Sequence, residues 1–203
     1  MSTIRIAVLV SGGGTNLQAI IDAQKAGILT SGKVELVVAD KKEAYALTRA
    51  ENNDIKTEVI VKKECASKQE FEEKIIAVLE ENEIDFIILA GFMQILSESF
   101  TTKYANRIIN VHPSLIPSFC GEGFYGLRVH EAALEYGVKV TGATVHFVNE
   151  IPDGGKIIAQ KAVEILEGDT PETLQKRVME NAEWIILPKA AEIVSQKMLE
   201  DRK

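Results

Sequence analysis

The feature that most constrains this chain is a set of short, almost uninterrupted apolar runs rich in β-branched residues: Ile4–Val10, Val34–Asp40, Phe86–Ala90 and Ile108–Val111. A strand covered by helices on both faces loses the polar alternation of a half-exposed strand, so these runs read as buried strands of a parallel sheet. Between them the apolar spacing becomes helical. Leu17, Ile20 and Ile21 recur until Gly27, and Phe71, Ile75, Val78 and Leu79 stripe a helix to about Asn82 that Ser67 and Glu70 open as a capping box. Tyr45 to Asn52 and Ser97 to Tyr104 read as shorter helices, and Thr57 to Val61 as a weaker strand. Strand and helix in alternation mean βαβ units with right-handed crossovers. The expected fold class is α/β: one open, mostly parallel twisted sheet, Rossmann-like, with helices on both faces.

The pattern changes after Pro117. Ser118 to Gly126 carries glycines and aromatics and reads as a loop, followed by a helix from Val129 to Tyr136. Val140–Val148 and Lys156–Val163 read as two strands joined around Glu150-Ile151-Pro152-Asp153-Gly154-Gly155, an antiparallel addition to the sheet. Thr170-Pro171 then caps a long helix or helix pair. No linker or repeat interrupts the 203 residues, so residues 1–203 are expected to form one domain. The net charge of −7, without a basic cluster, argues against a nucleic-acid partner. Met1 to Arg5 leads straight into a strand without a signal peptide's apolar segment, and no run approaches the roughly 20 apolar residues of a membrane span. Cys65 and Cys120 are expected to be free thiols in the cytoplasm, and three histidines without ligand spacing argue against a metal.

Two stretches carry chemistry. Ser11-Gly12-Gly13-Gly14-Thr15-Asn16 joins a buried strand to a helix N-terminus, where free N–H groups and the helix dipole suit a phosphate. Leu17 occupies the third-glycine position of a dinucleotide fingerprint, and no Lys-Ser/Thr follows as in a P-loop, so a small monophosphate or a merely tight turn remain the alternatives. Asp40 keeps open a ribose-binding acid. The second stretch, Asn110-Val111-His112-Pro113, sets an amide and an imidazole on the same side of a strand at its carboxyl end. Asp153, if brought near, would raise the His112 pKa and orient its ring, completing a set able to stabilise an oxyanion and manage protons in acyl transfer. No serine or cysteine has the setting of a nucleophile, so the set suits direct attack by a substrate amine. Phe92 to Leu96 could line an apolar slot or be core; His146 reads as a structural strand histidine, His130 as exposed, Trp184 and Ile185–Leu187 as core, and Glu183 as a solvated face.

Ser11–Ile20, Leu89-Ala-Gly-Phe-Met93, Asn110–Pro117, Gly142–Val148 and Asp153-Gly-Gly155 together resemble the phosphoribosylglycinamide formyltransferases of purine biosynthesis, and the resemblance covers nearly the whole chain. It implies transfer of the formyl group of 10-formyltetrahydrofolate, a co-substrate, to the amine of 5-phosphoribosylglycinamide, without a metal. It also implies that Asn110 and His112 stabilise the oxyanion, that Asp153 keeps His112 protonated and assists proton transfer, and that Gly12, Gly13, Gly14, Thr15 and Asn16 hold the 5′-phosphate. Glu183 would contact the ribonucleotide. Met93, Gln94, Ile95 and Leu96, together with Asn110 and the loop Asn149, Glu150, Ile151 and Pro152, would form the folate pocket, with Lys68 near the folate's glutamate tail. The Ile116–Pro117 bond is expected to be cis. The partners implied are these small molecules, neither nucleic acid nor membrane, with the protein a monomer or homodimer.

The sequence departs from the family pattern where Gln94 replaces a common arginine, where Glu180 stands in place of a lysine, and in a longer loop from Ser118 to Arg128. The rival readings are a formyltetrahydrofolate deformylase, a methionyl-tRNA formyltransferase and a phosphate-binding module without catalysis. The first two are expected to need a further domain, for which the chain offers no residues. The third has no need of Asn110, His112 and Asp153 together.

Overall fold

The computed structural model describes residues 3–202; Met1 and Ser2, read as leading into the first strand, lie outside the described residues. The chain runs β1 (Ile4–Val10), α1 (Thr15–Lys25), β2 (Gly32–Ala39), α2 (Tyr45–Glu51), β3 (Lys56–Val59), α3 (Lys68–Glu81), β4 (Phe86–Leu89), α4 (Glu98–Lys103), β5 (Ile108–His112), α5 (Leu127–Tyr136), β6 (Val140–Phe147), β7 (Ile157–Glu164), α6 (Pro171–Val178) and α7 (Trp184–Glu200). A 3₁₀ turn spans Lys62–Glu64, and a π turn over Met179–Glu183 joins α6 to α7. The strands form one seven-stranded sheet in the order β3-β2-β1-β4-β5-β6-β7. Pairing is parallel from β3 through β5 and antiparallel from β5 through β7.

The uninterrupted apolar runs have the cause assigned to them. In β1, Ile4, Ile6, Val8 and Val10 face a core shared with α1 and α7, while Ala7 and Leu9 face a second core with Phe71, Ile75 and Leu79 of α3 and Phe100 of α4. From Ile6 to Val10 each face of the strand is buried and every residue is apolar; Arg5, near its start, is only partly buried. The antiparallel addition is also as expected, and the Ser67 and Thr170 side chains cap α3 and α6.

Some boundaries differ. The third strand stops at Val59, before Val61. Helix α5 starts at Leu127, two residues earlier than its apolar spacing suggests, with Gly126 rather than a polar cap before it.

The order of the sheet decides where ligands can sit. The chain leaves β1 toward β2 and β3 on one side, then crosses to β4 and β5 on the other. The reversal opens a crevice beyond the carboxyl ends of β1 and β4, as in other open α/β sheets. The glycine loop after β1, the segment 91–96 after β4 and the end of β5 all reach this edge.

Candidate active site

The glycine loop is held from behind. The Gly12 carbonyl accepts from Ala46 N–H at 3.1 Å, and the Gly13 carbonyl accepts from Arg49 Nε at 2.8 Å, both on α2. With these carbonyls engaged by α2, the N-terminus of α1 lacks a side-chain cap, so its first amides are free for an anion. Gly14 takes φ +70°, and a Cβ there would lie 2.6 Å from the Ala46 Cβ, so α1 and α2 can approach only across a glycine. Gly12 and Gly13 face open space. Ser11 links this loop to the next by accepting from Met93 N–H at 2.8 Å.

Asn110 and His112 project from β5, and register places Asn110 opposite His146 and His112 opposite Thr144 of β6. The Thr144 hydroxyl donates to the Ser114 carbonyl at 2.7 Å and accepts from Ile116 N–H at 3.1 Å, which pins the chain just after His112. The Ile116–Pro117 bond is cis. Asp153 arrives from the β6–β7 connection with φ +56°. Gly155 lets that connection fold so closely because any Cβ there would meet the Phe147 carbonyl at 1.7 Å.

The Asp153 carboxylate lies between two imidazoles, with Oδ2 3.5 Å from His112 Nδ1 and Oδ1 3.4 Å from His146 Nε2. Oδ2 also accepts from Gly121 N–H at 2.9 Å. Burial alone would raise the Asp153 pKa, but His146, His112 and the Gly121 amide outweigh it and hold the carboxyl below its ordinary range. His112 moves down from its usual value because burial outweighs the pull of Asp153, so the expected upward pull is present but is the smaller effect. His112 Nε2–H donates to the Phe119 carbonyl at 2.8 Å.

His146, read from the sequence as structural, belongs to this cluster. Its Nδ1–H donates to the Phe147 carbonyl at 2.8 Å, which turns Nε2 toward Asn110 Nδ2 at 3.3 Å. Asn110 Nδ2 and Asp153 Oδ1 thus both lie against Nε2, and Asn110 keeps an N–H that does not face His146. The signal in the sequence was the two-residue alternation of β6, legible only once the β5–β6 register is known.

These groups line a cavity of about 770 Å³, within the range of small-molecule sites. One wall is polar, with Asn16, Gln175 and Glu183; the other is largely apolar, with Met93, Ile95, Leu96, Val148, Ile151 and Pro152. Gln94, Asn149 and Glu150 also line it. Met93, Ile95 and Ile151 are 49%, 59% and 58% exposed, and a flat ring entering the cavity would cover them. The Gln94 side chain is engaged at both ends: it donates to buried Asp40 at 2.7 Å and accepts from Lys62 at 3.0 Å. Asp40 is therefore engaged within the fold through Oδ2, while its buried Oδ1 has no partner. Lys68, on α3, stands outside the cavity wall with Nζ 3.8 Å from Glu72. Gly12 to Thr15 precede Asn16 outside the cavity lining, with Gly12 and Gly13 open to solvent.

Two readings of the sequence are corrected. Glu183 is buried, not solvated, and accepts from Asn16 Nδ2 at 2.7 Å; burial pushes its carboxyl pKa up against that hydrogen bond. The π turn explains this, because one wider turn shifts helical register and swings Glu183 inward beside Ala182. His130 is fully buried, not exposed, because α5 starts early enough to place it one turn in, on the buried face with Val129 and Ala133. Among the core candidates, Ile186 and Leu187 are buried, whereas Ile185 is exposed and Trp184 half-buried.

Comparison with known proteins places this fold. Residues 4–191 match the family described as formyl transferase. The chain is 41% identical over 184 residues to phosphoribosylglycinamide formyltransferase of Haemophilus influenzae, covering 91% of this chain and 84% of that protein. It is 46% identical over 191 residues to the human trifunctional purine biosynthetic protein adenosine-3, covering 94% of this chain but spanning only 18% of that relative's length. Glycinamide ribonucleotide transformylase 1 of Symbiobacterium toebii superposes with a TM-score of 0.90 at 40% identity, covering 96% of this chain and 89% of that one. The chain belongs to the formyl transferase family and, within it, to the phosphoribosylglycinamide formyltransferases.

Proposed function

We propose that this chain transfers the formyl group of 10-formyltetrahydrofolate to the amine of 5-phosphoribosylglycinamide, giving formylglycinamide ribonucleotide and tetrahydrofolate, as a cytoplasmic enzyme whose residues 1–203 act as one domain. The observation that carries this reading is the convergence of Asn110, His112 and Asp153 where the polar and apolar walls of one cavity meet. A ribonucleotide fits the polar side, with its phosphate on the amides of Gly12 to Asn16 and its sugar toward Glu183. The apolar wall from Met93 to Leu96 and the loop from Asn149 to Pro152 fit the folate ring, with Lys68 toward its acidic tail. The groups invoked come from one copy of the chain and accept small molecules, so a monomer or a homodimer would serve. Among the described residues, no helix is long and apolar enough to cross a membrane.

The amine attacks the formyl carbon; a C–N bond forms and the carbonyl electrons move to oxygen. The second N–H of Asn110 and an N–H of His112 meet that oxyanion. In the ligand-free site the Phe119 carbonyl holds His112 Nε2–H, so substrate entry must exchange one acceptor for the other. Asp153, held ionised, takes part in moving the ammonium proton, directly or through water, to the folate nitrogen; the oxyanion electrons re-form the carbonyl as the C–N bond to that nitrogen breaks.

The test is a formyl-transfer assay with and without the ribonucleotide, following the absorbance of deformylated folate. Turnover that requires the ribonucleotide supports the transferase. Equal turnover without it means that water is the acceptor and the protein a hydrolase. Binding of both ligands without turnover means a binding module.

A further inference from the structure

His130 has no role in the mechanism above, yet its setting is unusual. The residue is 0% exposed, and both ring nitrogens are buried with no hydrogen-bond partner. A buried imidazole without partners costs free energy that an apolar side chain at the same place would not. His130 is nevertheless among the residues that line the cavity. Helix α5, which bears it, packs against α6, and α6 carries Gln175 and runs into the π turn that bears Glu183. His130 therefore belongs to the polar wall. It also lies close enough to His112 for the two rings to repel each other when charged, which, second to burial, takes its pKa down to about 4. At neutral pH it is an uncharged ring offering one N–H and one lone pair. Asn16, on the same wall, likewise has a buried Oδ1 without a partner.

We propose that His130 is a ribonucleotide-binding residue, whose unpartnered ring nitrogens exchange hydrogen bonds with the polar atoms of the substrate between its ribose and its amine. The inference rests on the transferase reading and adds a binding residue to it. The placement follows from the neighbours, with Glu183 and Gln175 on one side and His112 on the other. A neutral ring suits this position, because it can donate to a carbonyl or hydroxyl oxygen without placing a second cation beside the reacting amine.

The experiment compares the parent protein with His130→Leu and His130→Gln, measuring thermal midpoints without ligand, ribonucleotide Kd by calorimetry, and kcat and KM for each substrate. The Leu variant is expected to melt no lower than the parent, because it removes unpaired buried polar atoms. It should weaken ribonucleotide binding by about 10- to 100-fold and leave the formyl-folate KM within about twofold. Gln should recover part of the loss. An unchanged ribonucleotide Kd in the Leu variant would overturn the inference, as would a large fall in its melting midpoint with both substrates weakened together. Should the Leu variant not fold, ¹⁵N spectra of histidine-labelled parent protein decide: His130 ring shifts must move on adding ribonucleotide, and shifts that stay put refute the assignment. A parent protein that binds no ribonucleotide overturns the transferase reading itself, a result distinct from parent binding that His130→Leu leaves intact.

Discussion

The two sides of this cavity are built from different materials. The glycine-loop side, at the end of β1, offers backbone: free amides at the start of α1, held from behind by Ala46 and Arg49, with Gly12 and Gly13 facing open space. The side formed by β5 and β6 offers side chains, with Asn110 half-buried and His112 and His146 buried around Asp153. A surface of amides can hold a phosphate without specifying a reaction, because an amide does not titrate. A buried cluster of imidazoles and a carboxylate costs stability and is worth keeping only where charge develops in a transition state. The difference assigns affinity to the first region and rate to the second.

That division can be broken most directly at Asp153. Asp153→Asn keeps the shape but not the charge, and kcat should fall by about 10²- to 10⁴-fold with ribonucleotide Kd nearly unchanged. Steady-state kinetics and calorimetry check the split, and near-normal turnover would remove Asp153 from the chemistry. Gly14→Leu addresses the loop from its structural side. The left-handed backbone and the collision with Ala46 should cost about 2–4 kcal/mol of stability, read by chemical denaturation, so a binding defect in that variant would not isolate the phosphate site.

Stability should also depend on pH, through His130 on α5. His130 is neutral in the fold down to about pH 4, whereas the unfolded chain takes up that proton near 6.5. Protonation of this ring therefore takes nothing from stability above about 6.5 and lowers it as pH falls toward 4, by on the order of 3 kcal/mol. His130→Leu should flatten that part of the stability profile, and an unchanged slope would show that the ring is charged in the fold. The smallest effect belongs to Gly13→Leu, where the added side chain meets only open space. Its melting midpoint should not move, while ribonucleotide affinity should drop about tenfold.

The two regions also differed in how far the sequence revealed them. The parallel half was legible because both faces of its central strands β1 and β4 are buried, which leaves runs such as Ile4–Val10 that neither a half-exposed strand nor a surface helix would produce. Asn110 and His112 were legible for a local reason: two residues on one strand share a face. The rest depended on relations that single-sequence periodicity does not carry. His146 joins the site through cross-strand register with Asn110. Glu183 turns inward because a π turn shifts the helical phase. His130 is buried because α5 begins at Leu127 behind a glycine, without the polar cap that would have marked its start. The apolar side of the cavity was half legible: the stretch Met93–Leu96 was visible, but the engagement of Gln94 with Asp40 and Lys62 pairs residues far apart in the chain.

The most direct test of this division is to measure, on Gly13→Leu and Asp153→Asn side by side, the equilibrium Kd for the ribonucleotide and the single-turnover rate of formyl transfer at saturating ribonucleotide. A crossed result is expected, with Gly13→Leu weak in binding but near the parent rate once saturated, and Asp153→Asn near the parent in binding but slow by at least about a hundredfold. Two variants impaired in the same quantity would contradict the division, and would mean that the amide loop and the buried cluster act as one site.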